Sequence, residues 1–146
     1  MHDYRHPNYG EELLEKLTQD GLTERVHCLG LLDRYTQIQL LRGAAAIIQP
    51  SLFEGWSSLL EDARALAKCV YVSDIPIHRE QDPPDAQFFN PHSPEELAAL
   101  LVKDWRSLTP GPDRTREQRT LSMQEDRAID FAWRFLRIVD GLAEQC

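Results

Sequence analysis

Apolar positions recur along this chain in two rhythms, one of about 3.6 residues and one of short unbroken runs. Between Glu11 and Gln19, Leu13, Leu14 and Leu17 share one helical face, and Asp20-Gly21 marks a stop. Val26-His27-Cys28-Leu29 reads as a short strand closing at Gly30. Asp33 to Arg42 reads as a helix with Tyr35, Ile38 and Leu41 on its apolar side. Ala45 to Gln49, carrying Ile47 and Ile48, reads as a buried strand closed by Pro50. A helix from about Ser58 to Ala67 and a strand at Val70-Tyr71-Val72 come next. Ile75 to Asp85 holds three prolines and reads as a polar loop; Gln87-Phe88-Phe89 follows as a fourth strand. Ser93, Pro94 and Glu96 then stand as N-cap, first-turn proline and capping glutamate of a helix. "LTPGPD" breaks the pattern, and the tail reads as two helices, Arg114 to Leu121 and about Asp126 to Ala143.

Strands alternating with helices predict an α/β domain with a short, mainly parallel sheet of about four strands covered on both faces. The expected organisation is one domain over residues 1–146. Parallel sheets bind ligands beyond the carboxyl ends of their strands, and Pro50 to Ser57 lies at such an end.

Composition narrows the partners. Net charge is −8, from 16 basic and 24 acidic residues, which argues against nucleic acid, because a phosphate backbone wants a basic face. No apolar run approaches the ~20 residues that span a bilayer, and "MHDYRHPNYG" is too polar for a signal peptide. Cys28, Cys69 and Cys146 are odd in number and widely spaced, fitting a reducing compartment better than a disulfide framework or a zinc site. His2, His6, His27 and His92 show no ligand spacing, so no metal site is expected.

The stretch "PSLFEGWSSLLEDARAL", Pro50 to Leu66, carries the chemistry. Its bland reading has Glu54 as a solvated loop carboxylate, Gly55 as a positive-φ turn residue and Trp56 as a core anchor. Ser58 to Glu61 would then be a capping box. The sharper reading makes one site of it. Free amides at Ser57, Ser58 and Leu59 would hold an anion at a helix start, and Gly55 would let a ligand approach the backbone. Glu54 and Glu61 would accept from neutral hydroxyls, as on a hexose and a ribose.

"AAAIIQPSLFEGWSSLLEDARALAKCVYVSDIPIHRE" resembles the donor-binding core of retaining GT-B glycosyltransferases of the group 1, or family 4, type. "RVHCLGLL", "FFNPHSPEELAALL" and "FAWRFLRIV" agree, so the likeness covers nearly the whole chain. It implies a Rossmann-like, three-layer α/β/α domain. It also implies hexosyl transfer from a UDP- or GDP-type sugar donor, with retention of configuration and no cofactor or essential metal. By position, Glu54 would contact the transferred sugar and stabilise developing positive charge. The backbone of Gly55, Trp56 and Ser57 would meet the sugar and diphosphate, and Ser58 and Leu59 amides would hold the diphosphate. Glu61 would take the ribose hydroxyls, and Cys28, Leu29, Gly30 and Leu31 would lie near the base. The implied location is cytoplasmic, at the inner membrane face for a full-length enzyme.

The chain departs from that pattern in places. Its glutamates are seven apart where most members have eight, and Ala67 and Cys69 stand where Gly and Pro are usual. The likeness covers only the back portion of the donor domain. An acceptor domain, the first two strands and a basic Arg/Lys pair on the diphosphate would be missing partners. With family strand order 3-2-1-4-5-6, that leaves "VHCL" without a neighbour beside "AAIIQ", and an open edge invites pairing. In the tail, Ile129, Trp133, Leu136 and Val139 form one apolar stripe and Phe131, Phe135, Ile138 and Leu142 another. A helix apolar on two sides is expected to be buried on two sides, so a rearranged strand order or a homo-oligomer is expected.

Three further features have bland readings. His78 reads as a surface-loop residue that could touch substrate. Arg79-Glu80 reads as a local contact, with Arg79 a candidate for a phosphate. "RTREQR" reads as a solvated helix face. The rival readings are a binding-only or vestigial fragment without turnover, and an unrelated α/β interaction module.

Overall fold

The structure is a computed structural model, and it describes residues 8–143. The chain divides after Gln37 into two compact units.

The first unit is a helix and its exit. α1 (Tyr9–Gln19) ends at Asp20, and Gly21 takes φ 67°. The Gly21 amide donates to Thr18 O at 3.1 Å and Leu22 N to Leu17 O at 2.8 Å. That is a Schellman closure, with glycine at the position needing left-handed backbone. Residues 26–30 then run on without strand structure and exposed, so the strand expected at Val26–Leu29 does not form. Its four residues alternate apolar and polar only weakly and find no ladder partner. α2 (Arg34–Gly43) starts in this unit, capped by Asp33, whose Oδ1 accepts from Thr36 N at 2.9 Å. Hydrogen bonds from Thr36 hold the Asp33 carboxyl below its usual range.

The second unit holds the end of α2 and a three-stranded parallel sheet of β1 (Ile47–Gln49), β2 (Val70–Ser73) and β3 (Ala86–Phe89), in the order β1-β2-β3. Gln49 pairs with Val72, and Ser73 with Phe89. The expected four strands are therefore three. β2 is central and wholly buried, as a Val-Tyr-Val run flanked on both sides requires. Its alternation splits the packing. Val70 and Val72 meet Ile47 and the buried Leu60 and Ala63 of α3 (Ser58–Ala65) in the core. Tyr71 instead gives its hydroxyl to Asp104 of α5 (Pro94–Asp104) at 3.0 Å, and burial pushes the phenol pKa far up.

The segment expected as a polar loop contains a helix, α4 (Pro76–Gln81). Its proline sits in the first turn, where no amide bond is lost. Ser93 caps α5 as expected, its Oγ accepting from Glu96 N at 3.2 Å, while the Glu96 carboxylate takes Asn90 N at 2.9 Å.

The two tail helices are one, α6 (Arg114–Ala143). Asp113 starts it by accepting from Arg116 N at 3.0 Å. The mostly polar stretch Ser122 to Glu125 does not interrupt it, because Met123, Gln124 and Glu125 are good helix formers. The "RTREQR" face is not purely solvated. Glu117 takes two bonds from Arg42, at 2.8 and 2.6 Å, and Arg116 pairs with Asp85. Beyond Gln124, every residue of α6 through Gly141 is exposed, so the expected burial on two sides is not found within this unit. The Leu142 side chain lies outside the described ones. Among the described residues no helix is long and apolar enough to cross a membrane.

Candidate functional site

Pro50 to Ser57 leaves the carboxyl end of β1 and enters α3, as the pattern of residues required. Glu54 folds back onto its own loop. Its Oε1 accepts from Gln49 Nε2 at 2.5 Å and from Ser51 Oγ at 2.7 Å, while Oε2 has no partner among the described residues. One carboxylate oxygen thus orients the group and the other remains to accept.

The loop is tied to β2 from below. Ser73 Oγ donates to Ser51 O at 2.5 Å, and His78 Nδ1 lies 2.9 Å from Ser73 O. A carbonyl can only accept, so Nδ1 carries the proton in the tautomer this network assigns. His78 is 0 % exposed, and its Nε2 is a buried acceptor with no donor. The surface histidine expected in "PIHRE" is a core residue instead, because α4 turns it under the loop.

The helix start differs from expectation in one amide. Gln81 Oε1 accepts from Ser57 N at 3.0 Å, and Gln81 Nε2 donates to Ser57 O and to Glu61 Oε1, each at 3.0 Å. Ser57 N is therefore occupied, while the amides of Ser58, Leu59 and Leu60 keep the orphan status of a first helical turn. Ser57, not Ser58, is the N-cap residue, and no side chain caps it. The capping box therefore does not form. Glu61 stands one position too far along and instead bridges Gln81 and Arg64 Nε, the latter at 3.3 Å. Arg64 in turn donates to Gln81 O.

Gly55 does not take positive φ, and a Cβ built on it would meet nothing within 4 Å. Neither backbone conformation nor protein packing requires glycine there. Trp56 is 56 % exposed and Phe53 87 %, so Trp56 is a surface aromatic, not a core anchor. Arg79 is engaged: it forms two bonds to Asp74, at 2.6 and 2.7 Å, and lies 3.8 Å over the Phe88 ring. Those Arg79 bonds hold the Asp74 carboxyl below its usual range.

The structure thus brings Glu54, Gly55, Trp56, Ser57, Ser58, Leu59 and Glu61 onto one loop and helix start. Cys28 to Leu31 belong to the first unit and are all exposed or half-exposed loop residues. Sequence reasoning missed Gln49, Ser51, Ser73 and Gln81. Only the Pro76 helix-start signal could have hinted that Gln81 ends a helix rather than sitting in a loop.

At the opposite, amino end of the strands, Lys68 is buried and donates to Ala44 O at 2.8 Å and Gly111 O at 2.7 Å. Burial pushes its ammonium below the usual range. A cavity of about 200 Å³ lined by Ala63, Ala67, Pro84, Met123 and Arg127 lies between α3 and α6, and none of its walls comes from the Glu54 loop. Among the described residues no cluster of three or more His, Cys, Asp or Glu could hold a metal ion. The chain matches no family model, no curated protein and no solved structure.

Proposed function

We propose that the Glu54 loop and the start of α3 bind a UDP- or GDP-type sugar as the donor site of a retaining hexosyltransferase. The observation that carries this is the pairing of a half-satisfied carboxylate with two unpaired, accessible amides, those of Ser58 and Leu59, across one unexplained glycine. The amides of Ser58 and Leu59 suit a diphosphate, since the helix start adds positive potential, whereas Leu60 is fully buried. Glu54 Oε2 suits a sugar hydroxyl. Gly55 keeps the backbone open to close approach, and Trp56 offers a ring face to the sugar. Glu61, held by Gln81 and Arg64, suits the ribose. The sequence resemblance assigns the same roles to Glu54, Glu61 and the Ser58 and Leu59 amides, adds Cys28 to Leu31 on the base side, and supplies the cytoplasmic setting, an acceptor domain and a Rossmann-like three-layer frame. The site argued here rests on the second unit alone.

Titration calorimetry with UDP- and GDP-hexoses tests the reading. Ser58→Pro removes one amide at a position where proline fits a helix, and Glu54→Gln removes the charge. Each is expected to weaken binding by roughly 10- to 100-fold, the scale of a hydrogen bond to a charged group. No binding at millimolar donor, or unchanged binding in both variants, would sink it.

A second reading is donor binding without turnover. It is favoured by the engagement of Arg79 with Asp74 and Phe88, which removes the one cation the sequence offered for leaving-group stabilisation. Release of hexose from bound donor would decide for turnover.

A further inference from the structure

The distal half of α6 carries a pattern that the donor site does not use. From Glu125 to Gly141 every residue is exposed. Seven of them are large and apolar: Ile129, Phe131, Trp133, Phe135, Leu136, Ile138 and Val139, with between 43 and 70 % of their surface in water. At ordinary residue areas that is roughly 800 Å², more than a monomer usually leaves bare, and the six other than Trp133, which falls beside the charged face, make up roughly 650 Å², close to one partner's share of a standard stable interface.

The arrangement is that of a helix seam. Ala128, Ala132, Phe135 and Val139 recur at spacings of four, three and four, the rhythm of two helices packing along their length. Ile129, Phe131, Leu136 and Ile138 flank that seam on both sides. Asp126, Arg127, Asp130, Arg134 and Arg137 lie on the opposite face, with Asp130 and Arg134 paired at 2.7 Å. The first half of the seam is small and the second half large. In an antiparallel pair of identical helices Ala132 would meet Phe135 of the second copy, and Ala128 would meet Val139. Each layer then holds one small and one large residue, which fills space without overlap. A parallel pair would set alanine on alanine and phenylalanine on phenylalanine, leaving voids beside crowding. The segment is therefore complementary to itself in one direction only. Its four acidic residues, Glu125, Asp126, Asp130 and Asp140, are nearly balanced by three arginines, so two copies of a chain of charge −8 meet here at a segment of net charge only −1.

We infer that two copies of this chain pair through the distal half of α6, antiparallel, with the two-fold axis between Trp133 and Arg134. This stands independently of the donor site.

Sedimentation equilibrium on the full chain reads it out. A dimer at about ten micromolar is expected, on the scale of a standard interface. Phe135→Ala should leave an alanine–alanine layer, and Ala132→Phe a crowded one; each should weaken dimerisation by about 100-fold, the scale of a central interface residue. The double variant A132F/F135A exchanges small for large and should recover most of the loss, with circular dichroism showing that all three variants remain helical. Three results would overturn the inference. The first is a monomer throughout the micromolar range, whatever else covers the face, an acceptor domain included. The second is a dimer indifferent to F135A, as pairing through the β1 edge would give. The third is a double variant no better than the singles.

Discussion

The two ends of the parallel sheet use their polar groups differently. At the amino end, the buried Lys68 places two of its three donors on Ala44 O and Gly111 O, and Glu117 commits both oxygens to Arg42. At the carboxyl end, Glu54 spends one oxygen and keeps one, and three amides of α3 stay unpaired. The amino end is closed chemistry that fastens α2, the loop before α6 and α6 itself to the sheet. The carboxyl end is held firmly from beneath, by Ser73, His78 and Gln81, but keeps capacity on top. A rigid base under unused acceptors and donors is what a binding surface needs, and this contrast between the two ends supports the proposed site without reference to any family.

The largest test removes what both ends share. Leu60 is fully buried between α3 and β2, and Leu60→Ala should cost about 2–5 kcal/mol, seen as a lower urea midpoint. Next comes the contrast itself. Lys68→Met keeps the stem and strands two carbonyls, for a loss of roughly 1–3 kcal/mol, whereas Glu54→Ala should cost under about 1 kcal/mol. Equal losses at the two ends would erase the distinction.

A smaller gain is expected at Ala67. It closes α3 in the same way that Gly21 closes α1: Lys68 N donates to Ala63 O at 2.9 Å and Ala67 N to Arg64 O at 3.1 Å. Ala67 takes φ 51°, where a Cβ is strained, so Ala67→Gly should raise stability by about 0.5–1 kcal/mol in the same urea titration. The smallest effect is a pH dependence at the amino end. The hydrogen bonds from Arg42 hold the Glu117 carboxyl below its usual range. A depressed carboxylate stabilises the fold above its unfolded pKa, and that contribution fades as pH falls through the lower folded value. The urea midpoint should therefore fall more steeply on acidification in the parent chain than in Glu117→Gln. Parallel curves would show that the pair contributes nothing.

How much of this could be read beforehand depends on the range of the forces involved. The strands at Ile47, Val70 and Phe88, the Ser93 cap and the Gly21 stop follow from local pattern, and the sequence shows them. The left-handed backbone at Ala67, φ 51°, leaves no local sign, because alanine does not advertise that conformation as glycine does. Val26 to Leu29 had strand-like residues, but a strand exists only with a neighbour to pair with. Trp56 looked like an anchor because tryptophan usually is one; its exposure follows from a loop that sends it outward. His78 and Gln81 were misjudged together. Three prolines suggested a loop, yet Pro76 sits where a helix tolerates it, and the turn it starts carries both side chains under the Glu54 loop. No local signal reports a hydrogen bond from residue 81 back to residue 57.

The double hold of Gln81 on Ser57 has a consequence for how the backbone trades protons with water. Ser57 lies at a loop end, where amide exchange is ordinarily quick, yet its N–H is bonded and the residue is buried. Ser58 and Leu59 are helical, where exchange is ordinarily slow, yet their N–H groups have no acceptor and neither residue is buried. The usual order is thus reversed across a single peptide bond. Deuterium should enter Ser58 and Leu59 before Ser57, and whatever anion settles on that helix start would slow both of those amides at once.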